Sequence, residues 1–158
     1  MPVVDEHKWL RALLDVAVEA AQPGRFVDRC LPPAPRGRTV VIGAGKATAS
    51  MAEAVERVRG EAAVAGAIAV PAGTACDCRA IECIESSHPV PDERSAAAAQ
   101  RMKALVSGLG PDDQVLALIS GGGSALLCDP VEGLSLADKQ ALTAALLRCG
   151  ATIREIKI

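Results

Sequence analysis

Two junctions of the same design constrain this chain more than any other feature. Val115-Leu116-Ala117-Leu118-Ile119 runs without a charge and meets Ser120-Gly121-Gly122-Gly123-Ser124. Earlier, Val40-Val41-Ile42 meets Gly43-Ala44-Gly45-Lys46. An uncharged aliphatic run is the pattern of a strand buried on both faces, as a parallel sheet requires. Glycines directly after such a strand let the backbone bend sharply and bring its N–H groups close to an anion. Ala125-Leu126-Leu127 and the Ala-rich segment from Lys46 can each open a helix, whose first N–H groups would point at the same place. A small chain that makes strand–glycine–helix twice is confined to α/β architectures in which strand ends face a crevice.

The remaining segments fit that frame. Trp9, Leu10, Leu13, Leu14, Ala17, Val18 and Ala21 recur at spacings of three and four, which predicts a helix over 7–21, with Asp5 as N-cap and Pro23-Gly24 as the stop. A short turn over 25–30 and the Pro-rich connector 31–35 follow. Strands are predicted over 38–42, 66–70, 80–84 and 114–119, helices over 46–59, 92–107 and 135–149, and a last strand over 152–156. The order α–β–α–β–β–α–β–α–β predicts a Rossmann-like three-layer sandwich, a mainly parallel sheet with helices on both faces, forming one domain over residues 1–158. With one Trp, one Phe and no Tyr, its core must be built from Ala, Val, Leu and Ile. The last strand meets the C-terminus with no closing helix. An open edge at Ile153–Ile158 would favour a homo-oligomer, and it is also what a truncated domain would leave.

Several function classes fall away. The net charge is −2, no dense basic cluster occurs, and the chain lacks aromatic stacking platforms, so nucleic acid is not an expected partner. No uncharged segment is long enough to span a membrane, and Met1-Pro2-Val3-Val4-Asp5-Glu6 lacks the basic start and apolar block of a secretion signal. A cytoplasmic protein is expected, with its six cysteines as thiols. Cys76-Asp77-Cys78 with Cys83 invites a metal reading, but there is no second C-x-x-C pair and neither histidine is adjacent, so no metal site is predicted.

The candidate chemistry lies in three places. Gly43-Ala44-Gly45-Lys46-Ala47-Thr48 is too short between its glycines for a P-loop. It also fails as a dinucleotide fingerprint, because Thr48 stands at the third position and the strand ending Ala69-Val70-Pro71 carries no acid for a ribose. What remains is Lys46 at a helix N-terminus, either a solvated surface lysine or a cation whose unfavourable position is offset by a bound anion. The Ser120–Ser124 loop is either an anion cradle or a ligand-free turn. Ser124 as a nucleophile has little support, with only His7 and His88 available as base and no nucleophile elbow. His88, in His88-Pro89-Val90-Pro91-Asp92, either bonds to its own loop or contacts a substrate. Glu53, Glu56 and Arg57 read as a solvated helix face.

Taken in order, Val41-Ile42-Gly43-Ala44-Gly45-Lys46-Ala47, His88-Pro89-Val90-Pro91-Asp92 and Leu118-Ile119-Ser120-Gly121-Gly122-Gly123-Ser124-Ala125-Leu126-Leu127, followed by Leu136-Ala137-Asp138-Lys139 and Gly150-Ala151, resemble the N-terminal part of the glycerate 2-kinase family, the MOFRL-type glycerate kinases, some members of which carry a hydroxypyruvate reductase label. The resemblance covers nearly the whole chain. It implies ATP-dependent phosphorylation of D-glycerate to 2-phosphoglycerate, with Mg²⁺ accompanying the nucleotide. Lys46 would neutralise the transferring phosphoryl group or hold substrate oxygens. Gly43, Gly45, Ser120, Gly121, Gly122, Gly123 and Ser124 would cradle phosphate or the glycerate carboxylate, with His88 near the substrate. Family members run on past the strand matching Ile153–Ile156 into a second domain with further catalytic residues, whereas Lys157-Ile158 ends this chain. The expectation is therefore an N-terminal domain that is inactive or weak alone. A non-catalytic anion-binding or oligomerisation module is the alternative, and a hydroxypyruvate reductase the remoter one.

Overall fold

A computed structural model describes residues 5–156. The chain begins with helix α1 (Glu6–Ala20), whose N-cap Asp5 accepts the Lys8 N–H. A 3-10 turn (Pro23–Arg25) and one helical turn, α2 (Val27–Cys30), lead to strand β1 (Thr39–Ala44) and helix α3 (Thr48–Arg59). Then come β2 (Val64–Pro71), β3 (Ile81–Ser86), helix α4 (Glu93–Val106), β4 (Gln114–Ile119), the single turn α5 (Gly123–Leu126), helix α6 (Leu136–Arg148) and the short α7 (Ile153–Ile156).

The four strands form one parallel sheet in the order β3-β2-β1-β4, with Thr39 of β1 in register with Val64 on one side and Gln114 on the other. One face buries Val41, Ile68, Val70 and Leu118 beneath Ala52 and Val55 of α3. The other buries Ala44, Ala67 and Ala69 beneath Ala98 and Met102 of α4 and Leu126 of α5. Alanine on both surfaces of this second layer lets α4 lie close to the sheet, which is how a core almost without aromatics reaches close packing. The predicted three-layer α/β sandwich is therefore the observed fold. From β1 the chain winds outward through β2 and β3, then crosses over α4 to place β4 on the other side of β1. Such a reversal leaves a crevice beyond the C-terminal ends of the two diverging strands, here β1 and β4.

Three expectations need correction. Residues 153–156 are helical rather than a strand. Thr152 and Glu155 explain why: the Glu155 carboxylate accepts the Thr152 N–H at 2.7 Å and its hydroxyl at 2.8 Å, half of a capping box that favours a helical turn over an extended one. No sheet edge therefore forms at 153–156, and residues 157–158 of the predicted strand lie outside the described residues. The sheet's edge strands are β3 and β4, and β4, which pairs only with β1 among the described residues, leaves Ile119 64% exposed.

Glu56 is buried, at 7% exposure, where a solvated face was expected. β2 and β3 are parallel neighbours joined by irregular chain with no crossover helix, and that chain must find partners for its backbone. Glu56 accepts the N–H groups of Arg79, Ala80 and Ile81 at 2.7, 3.0 and 3.2 Å, and Glu53 accepts that of Asp77 at 3.0 Å. Cys76 of this connection is joined to Cys83 of β3 as a disulfide, correcting the expectation of six thiols. Burial, Glu56 and Glu53 push the neighbouring Cys78 thiol up to about 12.

α1 has no buried residue, and Trp9, Leu10, Leu13 and Leu14 of its apolar stripe are all about half exposed or more. No helix among the described residues is long and apolar enough to cross a membrane.

Candidate functional site

The two glycine loops meet at the crevice, at the ends of β1 and β4. They are laced together by backbone bonds, Lys46 N–H donating to the Gly121 carbonyl at 2.9 Å and Ser120 N–H to Ala44 at 3.1 Å, while Gly45 N–H donates to Ala69 of β2 at 3.1 Å. Ala47 N–H donates to Ser120 Oγ at 3.0 Å. The first loop's N–H groups are thus occupied, and Lys46 precedes α3 rather than opening it. From this loop only the exposed Lys46 side chain faces outward.

The glycines there serve close approach. Gly43 lies against the Leu118 backbone of β4, where any side chain would collide with the carbonyl. Gly45, at φ 143°, lies against Ser120, and a Cβ would sit 2.7 Å from that residue's backbone. Both were predicted to contact an anion; the structure places them in the seam between the loops.

The second loop supplies the donors. Among the described residues, the N–H groups of Gly121, Gly122, Gly123 and Ser124 donate to no protein acceptor. Gly122 is left-handed, at φ 88°, and its α-carbon faces two side chains at once. An alanine methyl there would lie 3.3 Å from His88 Nε2 and 3.3 Å from Lys46 Cε. Lys46, His88 and the glycine loop, from three separate parts of the sequence, therefore converge on one surface point.

His88 comes from the loop between β3 and α4. Asp92 fastens that loop: it caps α4, accepts the Ser87 hydroxyl at 2.8 Å and pairs with Arg94 Nε at 2.8 Å. Burial opposes ionisation of Asp92, but the bonds from Ser87, Arg94 and Ser95 outweigh it and hold its pKa at about 2. Asp92 is thus a fixed anion that braces the loop and does not serve as a base at neutral pH. The His88–Pro89 peptide bond is cis. Beside the site a cleft of about 750 Å³ runs between this loop and α6, lined by Pro89, Pro91, Ser124, Val131, Leu134 and Leu142.

Sequence reasoning missed Thr48. It is completely buried, and its hydroxyl lies 3.1 Å from Ser120 Oγ and donates to the Leu118 carbonyl at 3.4 Å. Its only sequence trace is a hydroxyl residue at the third position of a failed dinucleotide fingerprint.

A cation, four free backbone donors and an imidazole suit a small anion, carboxylate or phosphate. They do not form a metal site, and among the described residues no three His, Cys, Asp or Glu side chains cluster so as to hold one.

Comparison with known proteins bears on the family and the fold. The model of a domain of unknown function, DUF4147, matches residues 9–158. The chain belongs to the DUF4147 family. It is 40% identical over 141 residues to the D-glycerate 2-kinase of Thermotoga maritima, covering 89% of this chain and 34% of that protein. It is 49% identical over 153 residues to an Agrobacterium vitis protein bearing a hydroxypyruvate reductase label, covering 97% of this chain and 35% of the relative. The crystal structure of the Thermotoga maritima glycerate kinase superposes with a TM-score of 0.79 at 38% identity, covering 94% of this chain and 36% of that one. The resemblance to the N-terminal domain of the MOFRL-type glycerate kinases therefore holds, and this DUF4147 chain spans about a third of the length of the relatives it matches.

Proposed function

We propose that this chain is the N-terminal, anion-holding domain of a D-glycerate 2-kinase. The convergence of Lys46 and His88 on Gly122, in a loop whose N–H groups at Gly121–Ser124 are left free, carries the reading. Phosphoryl transfer asks a protein mainly for positioning and for stabilisation of charge, and fixed N–H groups with a lysine supply both. In this reading the loop's N–H groups hold the substrate carboxylate or the phosphoryl oxygens. The Lys46 ammonium neutralises negative charge there, and His88 Nε2 bonds to a substrate oxygen. ATP, when bound, would supply the phosphoryl group. The described residues offer no metal cluster, so no step is assigned to Mg²⁺ on this chain.

Catalysis then needs groups beyond this third of the family's length, and the chain alone should bind anions with little turnover. Isothermal titration of the chain with inorganic phosphate and with D-glycerate tests the reading directly. Saturable binding that Lys46→Ala weakens supports it, and equal binding by wild type and Lys46→Ala would refute it.

A second reading, self-association, is favoured by the exposed apolar stripe of α1 and the open β4 edge. Light scattering over a dilution series decides it, and a strictly monomeric chain counts against it. The reductase label of the Agrobacterium vitis relative has less behind it here, because β2 ends at Val70-Pro71 without the acid that would hold a nicotinamide ribose. A hydroxypyruvate-dependent NADH oxidation assay checks it.

A further inference from the structure

We propose that Thr48 is a positioning residue of the anion site, acting through Ser120 to fix Lys46 against the second glycine loop. The inference rests on the anion-site reading above but concerns a residue that cannot touch the ligand, since Thr48 is completely buried.

The Thr48 hydroxyl lies between two partners, the Leu118 carbonyl at 3.4 Å and Ser120 Oγ at 3.1 Å. Ser120 Oγ in turn accepts the Ala47 N–H at 3.0 Å. Hydroxyl hydrogen bonds thus link Ala47, Ser120, Thr48 and Leu118 in one chain. It ties the residue after Lys46 to the residue before Gly121, and it does so at the buried end of β4. Among the described residues, the Lys46 N–H bond to Gly121 is the only other hydrogen bond between these loops on the outer side of Ser120. Ser120 is accordingly a brace between Ala47 and Thr48, and Ser124 is the hydroxyl of this loop left outside the chain.

Without the Thr48 hydroxyl, Ser120 Oγ loses its buried partner and turns more freely, and Ala47 loses a fixed partner. The Lys46 side chain then samples more orientations relative to the N–H groups of Gly121–Ser124. The anion meets a less organised site, and its affinity falls without loss of charge.

The test uses the whole chain and inorganic phosphate. Thr48→Val keeps the shape and removes the hydroxyl, and it should weaken phosphate binding about 3- to 10-fold, the worth of a neutral hydrogen bond. Thr48→Ser restores the hydroxyl and should recover most of the affinity. In a Lys46→Ala background Thr48→Val should change affinity little further, because nothing remains to be positioned. Circular dichroism and urea midpoints establish that each variant is folded. Should Thr48→Val not fold, Ser120→Ala cuts the same chain from the exposed side and takes its place in the cycle. Full additivity of Thr48→Val with Lys46→Ala, or wild-type affinity in Thr48→Val, overturns the positioning role. Indifference of phosphate binding to Lys46→Ala instead overturns the anion site itself, so the two failures are distinguishable.

Discussion

Gly122→Ala separates backbone strain from site chemistry, because the molecule contains its own controls. Gly122 and Gly133 have nearly the same left-handed backbone, at φ 88° and 89°. A methyl at 133 meets nothing within 4 Å, whereas one at 122 meets His88 Nε2 and Lys46 Cγ and Cε, each at 3.3 Å. Gly121 has a normal φ and open space around it. An L-residue in the left-handed region costs about 1–2 kcal/mol, and the lower entropy of the unfolded alanine chain returns about 0.4–1 kcal/mol. Gly122→Ala and Gly133→Ala should therefore lose similar stability, about 1 kcal/mol each. The extra contacts at 122 add little to this, since His88 and Lys46 are both exposed side chains with room to turn away.

Affinity should behave differently. A methyl at 122 pushes Lys46 and His88 off the point they share, and a charge-assisted hydrogen bond is worth about 1.5–3 kcal/mol. Phosphate affinity should therefore drop about 10- to 150-fold in Gly122→Ala, while Gly133→Ala stays near wild type. Urea denaturation gives the stabilities and isothermal titration the affinities. If Gly133→Ala weakens phosphate as much as Gly122→Ala, or if Gly122→Ala binds normally, the convergence of Lys46 and His88 on Gly122 is not what makes the site.

Further predictions concern the scaffold. Glu56→Ala strands the N–H groups of Arg79, Ala80 and Ile81 and should cost about 3 kcal/mol or more in urea unfolding; a loss below about 0.5 kcal/mol would mean that water replaces the carboxylate freely. Asp113 accepts the Arg38 and Gly110 N–H groups, pairs with the Arg38 guanidinium and titrates at about 2 instead of its ordinary 3.8. A lowered native pKa stabilises above the unfolded value and ceases to do so as pH falls through the native one. The gap in urea midpoint between wild type and Asp113→Asn should therefore be full above about pH 4 and close toward pH 2; a gap unchanged at pH 2 would exclude this linkage. Alkylation of denatured chain followed by mass spectrometry should modify Cys30, Cys78, Cys128 and Cys149 without reductant, and Cys76 and Cys83 only after reduction. Modification of all six without reductant would remove the disulfide.

What could be read from the residues, and what could not, divides by range of interaction. Local signals were sound: the Asp5 cap, the uncharged run 115–119 and the glycine junctions all lie where the sequence places them. The 152–156 segment was misread because alternation of apolar residues is a weak sign in so short a stretch, and the Thr152–Glu155 pair outweighs it. Glu56 was misread because its partners are backbone groups more than 20 residues away, and a backbone N–H leaves no mark in a sequence. The same holds for Thr48, whose partner lies 72 residues on.

The site itself was legible as three pieces and illegible as a division of labour. Residue types suggested that both glycine loops present N–H groups to an anion. Topology prevents this. β1 lies between β2 and β4, so the loop leaving it is hemmed by Ala69 on one side and Ser120 and Gly121 on the other, and its N–H groups bond to those neighbours. β4 is an edge strand, and the loop leaving it has a neighbour on one side only. Its N–H groups stay free for that reason. The central loop can therefore contribute only a side chain, and the edge loop contributes backbone. Lys46 and Gly121-Gly122-Gly123 are thus complementary rather than duplicate halves, and the requirement for a cation falls on the loop that has no donors left to offer.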